Sequence, residues 1–255
     1  MKLRSVFKHL PRYVLAAGGV GLLLRIWLLA RTAEKGFLVS NPVATVLLWV
    51  VAIAVPVALF LLTRELTEAK KYAFNFPPSP IAAIGTGLAA LSIGIYSILS
   101  FPGSLDAIDV ISGILGILSA GALGLAGWCR LKGARPNFLL HCAVAVYLML
   151  RLICQYRHWS ADPQVLDYCF SILATVCLML AAYHRAAFDM GSGDRRNYAF
   201  FCLTCGFFCC LSLVGWEDIL YYLGIGAWMF TDLCNLTPLK GRGMFQRGES
   251  DHESA

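Results

Sequence analysis

The sequence predicts an all-α integral membrane protein with eight transmembrane helices. Three observations predict it: an apolar composition, apolar runs of bilayer length, and basic residues gathered at alternate turns. Of 255 residues, 58% are hydrophobic and 14% charged, where a soluble domain carries roughly 25% charged residues. A chain this apolar cannot cover itself in water, so lipid is the solvent for much of it. Lipid offers no partner to open backbone groups, which makes the spans helical.

Runs long enough to cross occupy 13–31, 42–62, 79–101, 108–128, 137–156, 164–184, 197–215 and 219–236. The third and fourth are the cleanest. The fifth, sixth and eighth carry Arg151, Asp167 and Asp232. Prolines 11, 42, 77, 78, 80, 102, 136, 163 and 238 fall at or near proposed ends, and Pro56 alone lies within a span, where it should kink the helix. Lys2, Arg4, Lys8 and Arg12 before an apolar stretch imitate a signal peptide. Arg25 interrupts that stretch, so it is read as an uncleaved first span.

Charge gives an independent test, because basic residues in short loops favour the cytoplasm. With the N-terminus inside, every inner segment carries at least three Lys or Arg: 2–12, 64–71, 130–135, 185–196 and 240–247. The outer loops after spans three and seven carry none. Both termini are therefore expected in the cytoplasm, and the protein in the plasma (cytoplasmic) membrane. The net charge of +6 does not indicate nucleic acid, since the basic residues lie in short clusters between apolar runs. The ten cysteines all lie from Cys129 onward, mostly inside apolar runs, and read as reduced, small apolar residues.

The halves resemble each other. One constant offset takes Arg25 and Arg31 to Arg151 and Arg157, and Tyr72-Ala73-Phe74 to Tyr198-Ala199-Phe200. Asn41-Pro42 matches Asp162-Pro163, Arg64 matches Arg185, and Lys132-Gly133 matches Lys240-Gly241. The expected organisation is a cytoplasmic segment 1–12, a first four-helix repeat 13–128, a cytoplasmic linker 129–136, a second repeat 137–236 and a disordered cytoplasmic tail 237–255. Four spans per unit give both halves one orientation, with a pseudo-twofold axis along the membrane normal.

Arg25, Arg31, Lys35, Arg151 and Arg157 escape the inner-face rule. Arg25 and Arg151 fall roughly 10 Å inside their helices, where a charge is costly. In the functional reading, Arg25 and Arg151, with Arg31 and Arg157, flank the central axis and hold an anionic group of a substrate. In the structural reading they snorkel to headgroups or pair within the bundle, with Asp106, Asp109, Asp167, Glu217 and Asp218 as partners.

Cys202, Cys205 and Cys209 share a helical face, which suits packing better than a metal site. His141, His184 and Asp232 near the inner ends are candidates for a proton relay or haem ligation. Small residues step by four along span three (Ala82, Thr86, Ala90, Gly94) and span four (Ser112, Gly116, Ala120, Gly124), as close helix packing in lipid requires.

No nucleotide-binding loop, zinc-protease helix or nucleophile elbow is present. No catalytic residue, metal or cofactor is assigned. The expected partners are membrane lipid and a small anionic solute, with no nucleic acid; the oligomeric state stays open. The first functional reading is a small-solute transporter or permease. The alternatives are a non-catalytic membrane partner, sensor or lipid-binding subunit, and a membrane-embedded enzyme or electron-transfer subunit.

Overall fold

A computed structural model describes residues 2–35, 42–66, 70–100, 107–159, 165–214 and 218–236. Among these every extended element is a helix. Eight long helices are α1 (Lys2–Lys35), α2 (Pro42–Arg64), α4 (Pro80–Ser100), α5 (Ala107–Leu131), α6 (Phe138–Trp159), α7 (Val165–Met190), α8 (Arg195–Ser212) and α9 (Ile219–Asn235); one turn, α3 (Tyr72–Asn75), lies between α2 and α4.

The outer surface is where the large apolar residues sit. On α2 they are Val43, Val46, Val50, Ile53, Val57 and Phe60, and on α4 Ile81, Ile84, Leu88, Leu91, Ile95 and Ile98, all exposed. The buried face of α4 is built mostly of small residues, Ala82, Gly85, Thr86, Ala89, Ser92 and Ser97, with Ile93 the one large apolar side chain among them. A helix in water shows the opposite arrangement, and a continuous exposed apolar belt of this extent belongs in lipid. The protein is therefore a multi-pass membrane-embedded helical bundle.

Six helices are long and apolar enough to cross: those containing His9–Ala30, Val43–Arg64, Pro80–Leu99, Ala107–Leu131, Phe138–Arg157 and Tyr168–Met190. The sequence reading had eight. α8 and α9 are the two that fall short: α9 has 17 residues, and the 18 of α8 open on Arg195, Arg196 and Asn197, which leaves it insufficiently apolar. The reason is their position. α8 packs against α1, α2, α7 and α9, and twelve of its residues are buried. A helix sheathed by protein meets little lipid and tolerates Arg195, Arg196 and Asn197 at its start.

Neighbour contacts run α4–α5–α6–α7–α8–α9 and close from α9 back to α4, making a ring of six helices. α1 and α2 pack on each other and on the outside of α8. The halves thus have different surroundings: α7 and α8 pack together, whereas α2 and α4, their counterparts in the sequence comparison, are not a principal pair. Small residues set the close contacts, as expected, although the register is shifted. Gly94 meets Ala120, and Gly127, not the exposed Gly124, lies against Thr86. A Cβ on Gly85 would collide with Thr231, and one on Gly224 with Ser92, which brings α4 and α9 unusually near.

Other boundaries also moved. α1 begins at Lys2, so Pro11 lies within it, and α2 is assigned continuously through Pro56. α5 extends to Leu131, so Arg130 is a buried helical residue and not part of a linker. The tail 237–255 lies outside the described residues.

Candidate functional site

α9 carries the ring's polar stripe. Tyr221, Ile225, Trp228 and Asp232 are each 1% exposed and recur at three- and four-residue steps, hence on one face. Asp218 stands at one end of this stripe and Asp232 near the other. Fourteen residues separate them, about 21 Å at the helical rise. Each aspartate meets arginine from a neighbouring helix.

At the first end, Arg151 of α6 donates from Nη2 to Asp218 Oδ1 at 3.2 Å. Its guanidinium carbon lies 3.9 Å from the ring centre of Tyr96 and 3.8 Å from that of Tyr221. Two aromatic faces and one carboxylate thus compensate the buried charge. Asp218, among the anticipated partners, is 21% exposed.

Arg25 sits at a different junction. It donates from Nη1 to the carbonyl of Leu211 in the last turn of α8 and lies over the Phe170 ring at 5.4 Å. A cation at a helix C-terminus meets carbonyls left without helical partners. The expectation that Arg25 and Arg151 face each other across an axis is therefore corrected: α1 lies outside the ring and α6 within it. Arg157 is exposed, and Asp109 is half-buried beside Cys154. Asp106 and Glu217 lie outside the described residues, as do the side chains of Arg31 and Asp167.

The second end is denser. Arg130 Nη1 of α5 lies 3.3 Å from Asp232 Oδ1, and Arg185 Nη1 of α7 lies 3.9 Å from Oδ2. Tyr198 of α8 donates its hydroxyl to Asp232 Oδ2 at 2.8 Å. Beside them His141 Nδ1 of α6 is 2.6 Å from Asp189 Oδ2 of α7, and the imidazole stacks on Trp228. Five ring helices therefore converge here. His184, grouped with His141 and Asp232 in the sequence reading, stacks on Phe201 at 5.4 Å.

Local sequence explains the placement. α5 and α7 both end in Schellman turns. Gly133 and Gly191 have φ of 71° and 86°; Ala134 N–H reaches Cys129 O and Ser192 N–H reaches Ala187 O. These stops fix the last turns that present Arg130 and Asp189. Asp194 caps α8, accepting from the Arg196 N–H at 2.9 Å.

The segment 70–79 lies over the cluster. Phe76 is buried, with Arg185 at 3.4 Å and Arg130 at 4.9 Å from its ring centre. Tyr72 lies 5.3 Å from Arg185, and burial pushes its phenol up from the ordinary value, with Arg185 and Arg130 opposing. Ser79 donates to Asn235 at 2.8 Å, fastening this segment to the end of α9.

No family model, curated protein or solved structure matches this chain. The residues and their geometry are therefore the basis for any functional reading.

Arg130, Arg185 and Asp189 were missed as site residues in the sequence. Arg130 and Arg185 fitted the inner-face charge rule, which absorbed them as loop residues. A signal existed: Arg185 and Asp189 are four apart, which puts opposite charges on one face if the helix continues through them. Cys202, Cys205 and Cys209 are buried in the bundle, and Cys205 Sγ approaches Ala174 O at 3.6 Å.

Proposed function

We propose that this chain is a transport protein of the plasma membrane that moves a small anionic solute through the interior of the α4–α9 ring. The observation that carries the reading is the α9 stripe. Ionisable residues inside a membrane are costly and mark solute, ion or proton pathways by default. Here they occur at both ends of the buried face of one helix, Asp218 with Arg151 and Asp232 with Arg130 and Arg185. Such paired ends suit a route that a charged solute enters by exchanging with an internal counterion.

In this reading α8 and α9 also cross, giving eight spans, with the Arg130 end and both termini in the cytoplasm. The tandem repeat is read as ancestry: repeat-related Tyr72 and Tyr198 both reach the Arg185 cluster, while α1 and α2 have taken a separate place on α8. Topology reporters at Gly103 and Ala255 should report opposite sides; agreement would exclude eight spans.

The route is tested with Ile225→Cys in an otherwise cysteine-free protein, reconstituted in vesicles. A small impermeant thiol reagent should modify it from at least one side, and anion uptake should fall in Arg151→Gln. Complete protection from both sides in a folded protein would sink the transport reading.

A second reading, a lipid-binding partner subunit, has its own observation. An apolar cleft of about 250 Å³ opens between α1, α8 and α9, lined by Val14, Cys202, Gly206, Cys210, Gly226 and Leu233 among others. Its character suits an acyl chain. Protection of Ile225→Cys together with retained, stoichiometric lipid would favour it.

A further inference from the structure

We infer that the Arg130–Arg185 pair is a binding site for a small oxyanion, with Asp232 as an internal stand-in for the ligand and the segment 70–79 as its roof. The inference deepens the transport reading by naming the solute class for that route, and the site is tested apart from the route.

Three observations carry it. First, the two guanidiniums share one carboxylate, and Asp189 is engaged through Oδ2 by His141 at 2.6 Å, while Asp189 Oδ1 and Asp232 Oδ1 make no hydrogen bond among the described residues. Second, donors remain. Arg130 Nε, Nη1 and Nη2 and Arg185 Nε and Nη1 have no hydrogen-bond partner among the described residues, although both side chains are 3% exposed. The contacts to Asp232 are charge contacts without aligned N–H···O geometry. Buried guanidinium N–H groups are normally satisfied, and leaving so many without acceptors is costly. Third, both cations are held by one aromatic ring, Phe76. Arginine forks held this way fit the planar or tetrahedral oxygens of carboxylate, phosphate or sulfate, and not a spherical ion.

Asp232 supplies the carboxylate that keeps the pair tolerable without ligand. An arriving oxyanion would take over the guanidiniums and leave Asp232 to Tyr198, whose hydroxyl already donates to it. Phe76 and Tyr72 close this end of the ring. Passage therefore requires the segment 70–79 to shift, and its side-chain tie to α9 is the hydrogen bond from Ser79 to Asn235.

The test is isothermal titration calorimetry on the purified full chain in detergent, at fixed ionic strength. The titrants are inorganic phosphate, sulfate and acetate, with chloride as the spherical control. At least one oxyanion should bind saturably and chloride should not compete at equal concentration. Arg185→Gln should weaken binding at least about thirtyfold, the loss of a charge-assisted fork. Arg185→Lys keeps the charge and serves if the glutamine variant fails to fold; it should weaken binding about tenfold. Arg64→Gln removes an exposed cation from the same end of the bundle and should leave affinity unchanged.

Repeating the titration after reloading with phosphatidylglycerol distinguishes two sources of the same chemistry. Competition by the lipid supports the site with a headgroup phosphate as its ligand; indifference supports it with a free solute. The inference is overturned if no oxyanion binds to folded protein, or if Arg185→Gln and Arg185→Lys bind as wild type does. Binding with Ile225→Cys fully protected would retain the site and remove only the transport reading.

Discussion

The two ends of α9 handle the same problem differently. At the Asp218 end, one buried arginine faces one aspartate, with tyrosine rings on both sides of the guanidinium. At the Asp232 end, two buried arginines share one aspartate, five guanidinium nitrogens lack hydrogen-bond partners among the described residues, and a histidine–aspartate pair stands alongside. The first arrangement is close to balanced and suits structure or gating. The second keeps surplus donors in a low-dielectric interior, where they are costly without an acceptor. The contrast is why the proposed oxyanion site is placed at the Asp232 end, where more of the buried charge is left without a hydrogen-bond partner.

Substitutions can break or sharpen this contrast. The largest effect is expected from Asp232→Leu, which strands two cations. Breaking a buried pair costs about 3–5 kcal/mol, and the thermal midpoint in detergent should fall steeply. Asp218→Leu should cost distinctly less, because Asp218 is partly exposed and Arg151 keeps its two aromatic faces. Equal losses would erase the distinction between the ends.

Tyr198→Phe removes the hydroxyl donor to Asp232 and should cost about 1–3 kcal/mol. Added phosphate should raise the wild-type and Asp218→Leu midpoints alike, since both keep the Arg130–Arg185 site, and should raise that of Tyr198→Phe less, since a displaced Asp232 then has no donor. Next in size is Tyr96→Leu, which takes one ring from Arg151, at about 0.5–2 kcal/mol; phosphate should raise its midpoint as much as it raises the wild type's. The smallest effect is expected away from both ends. A Cβ on Gly206 meets nothing within 4 Å, so Gly206→Ala should be neutral or stabilising by up to about 1 kcal/mol. A large loss there would show that the cleft between α1, α8 and α9 is closed in the folded protein.

The ends also differed in how readily the sequence revealed them. Arg151 interrupts an apolar run, and its cost in lipid made it visible at once. Asp218 followed as a partner because it opens the next helix at that side. Arg130 and Arg185 stood among the basic residues that orient the chain, and only the four-residue step from Arg185 to Asp189 hinted that α7 runs on past the charge. Arg25 was visible for the same reason as Arg151 but was assigned a symmetric role. Its helix packs outside the ring, and it meets the end of α8 instead.

Composition and apolar run length determined by themselves that the chain is a membrane-embedded helical bundle, since the transfer of apolar surface and the backbone's need for hydrogen bonds depend only on local content. They also located every long helix to within a few residues, apart from the N-terminal extension of α1 and the last six residues of α7, where Arg185 and Asp189 lie. Tertiary structure decided which helices close into a ring, why α8 and α9 can be short and polar at their ends, and which charges meet. Those outcomes depend on packing between helices distant in sequence, where a glycine such as Gly85 or Gly224 lets two backbones approach. An arginine five residues from a helix end gains its meaning only from what the neighbouring helices bring to it.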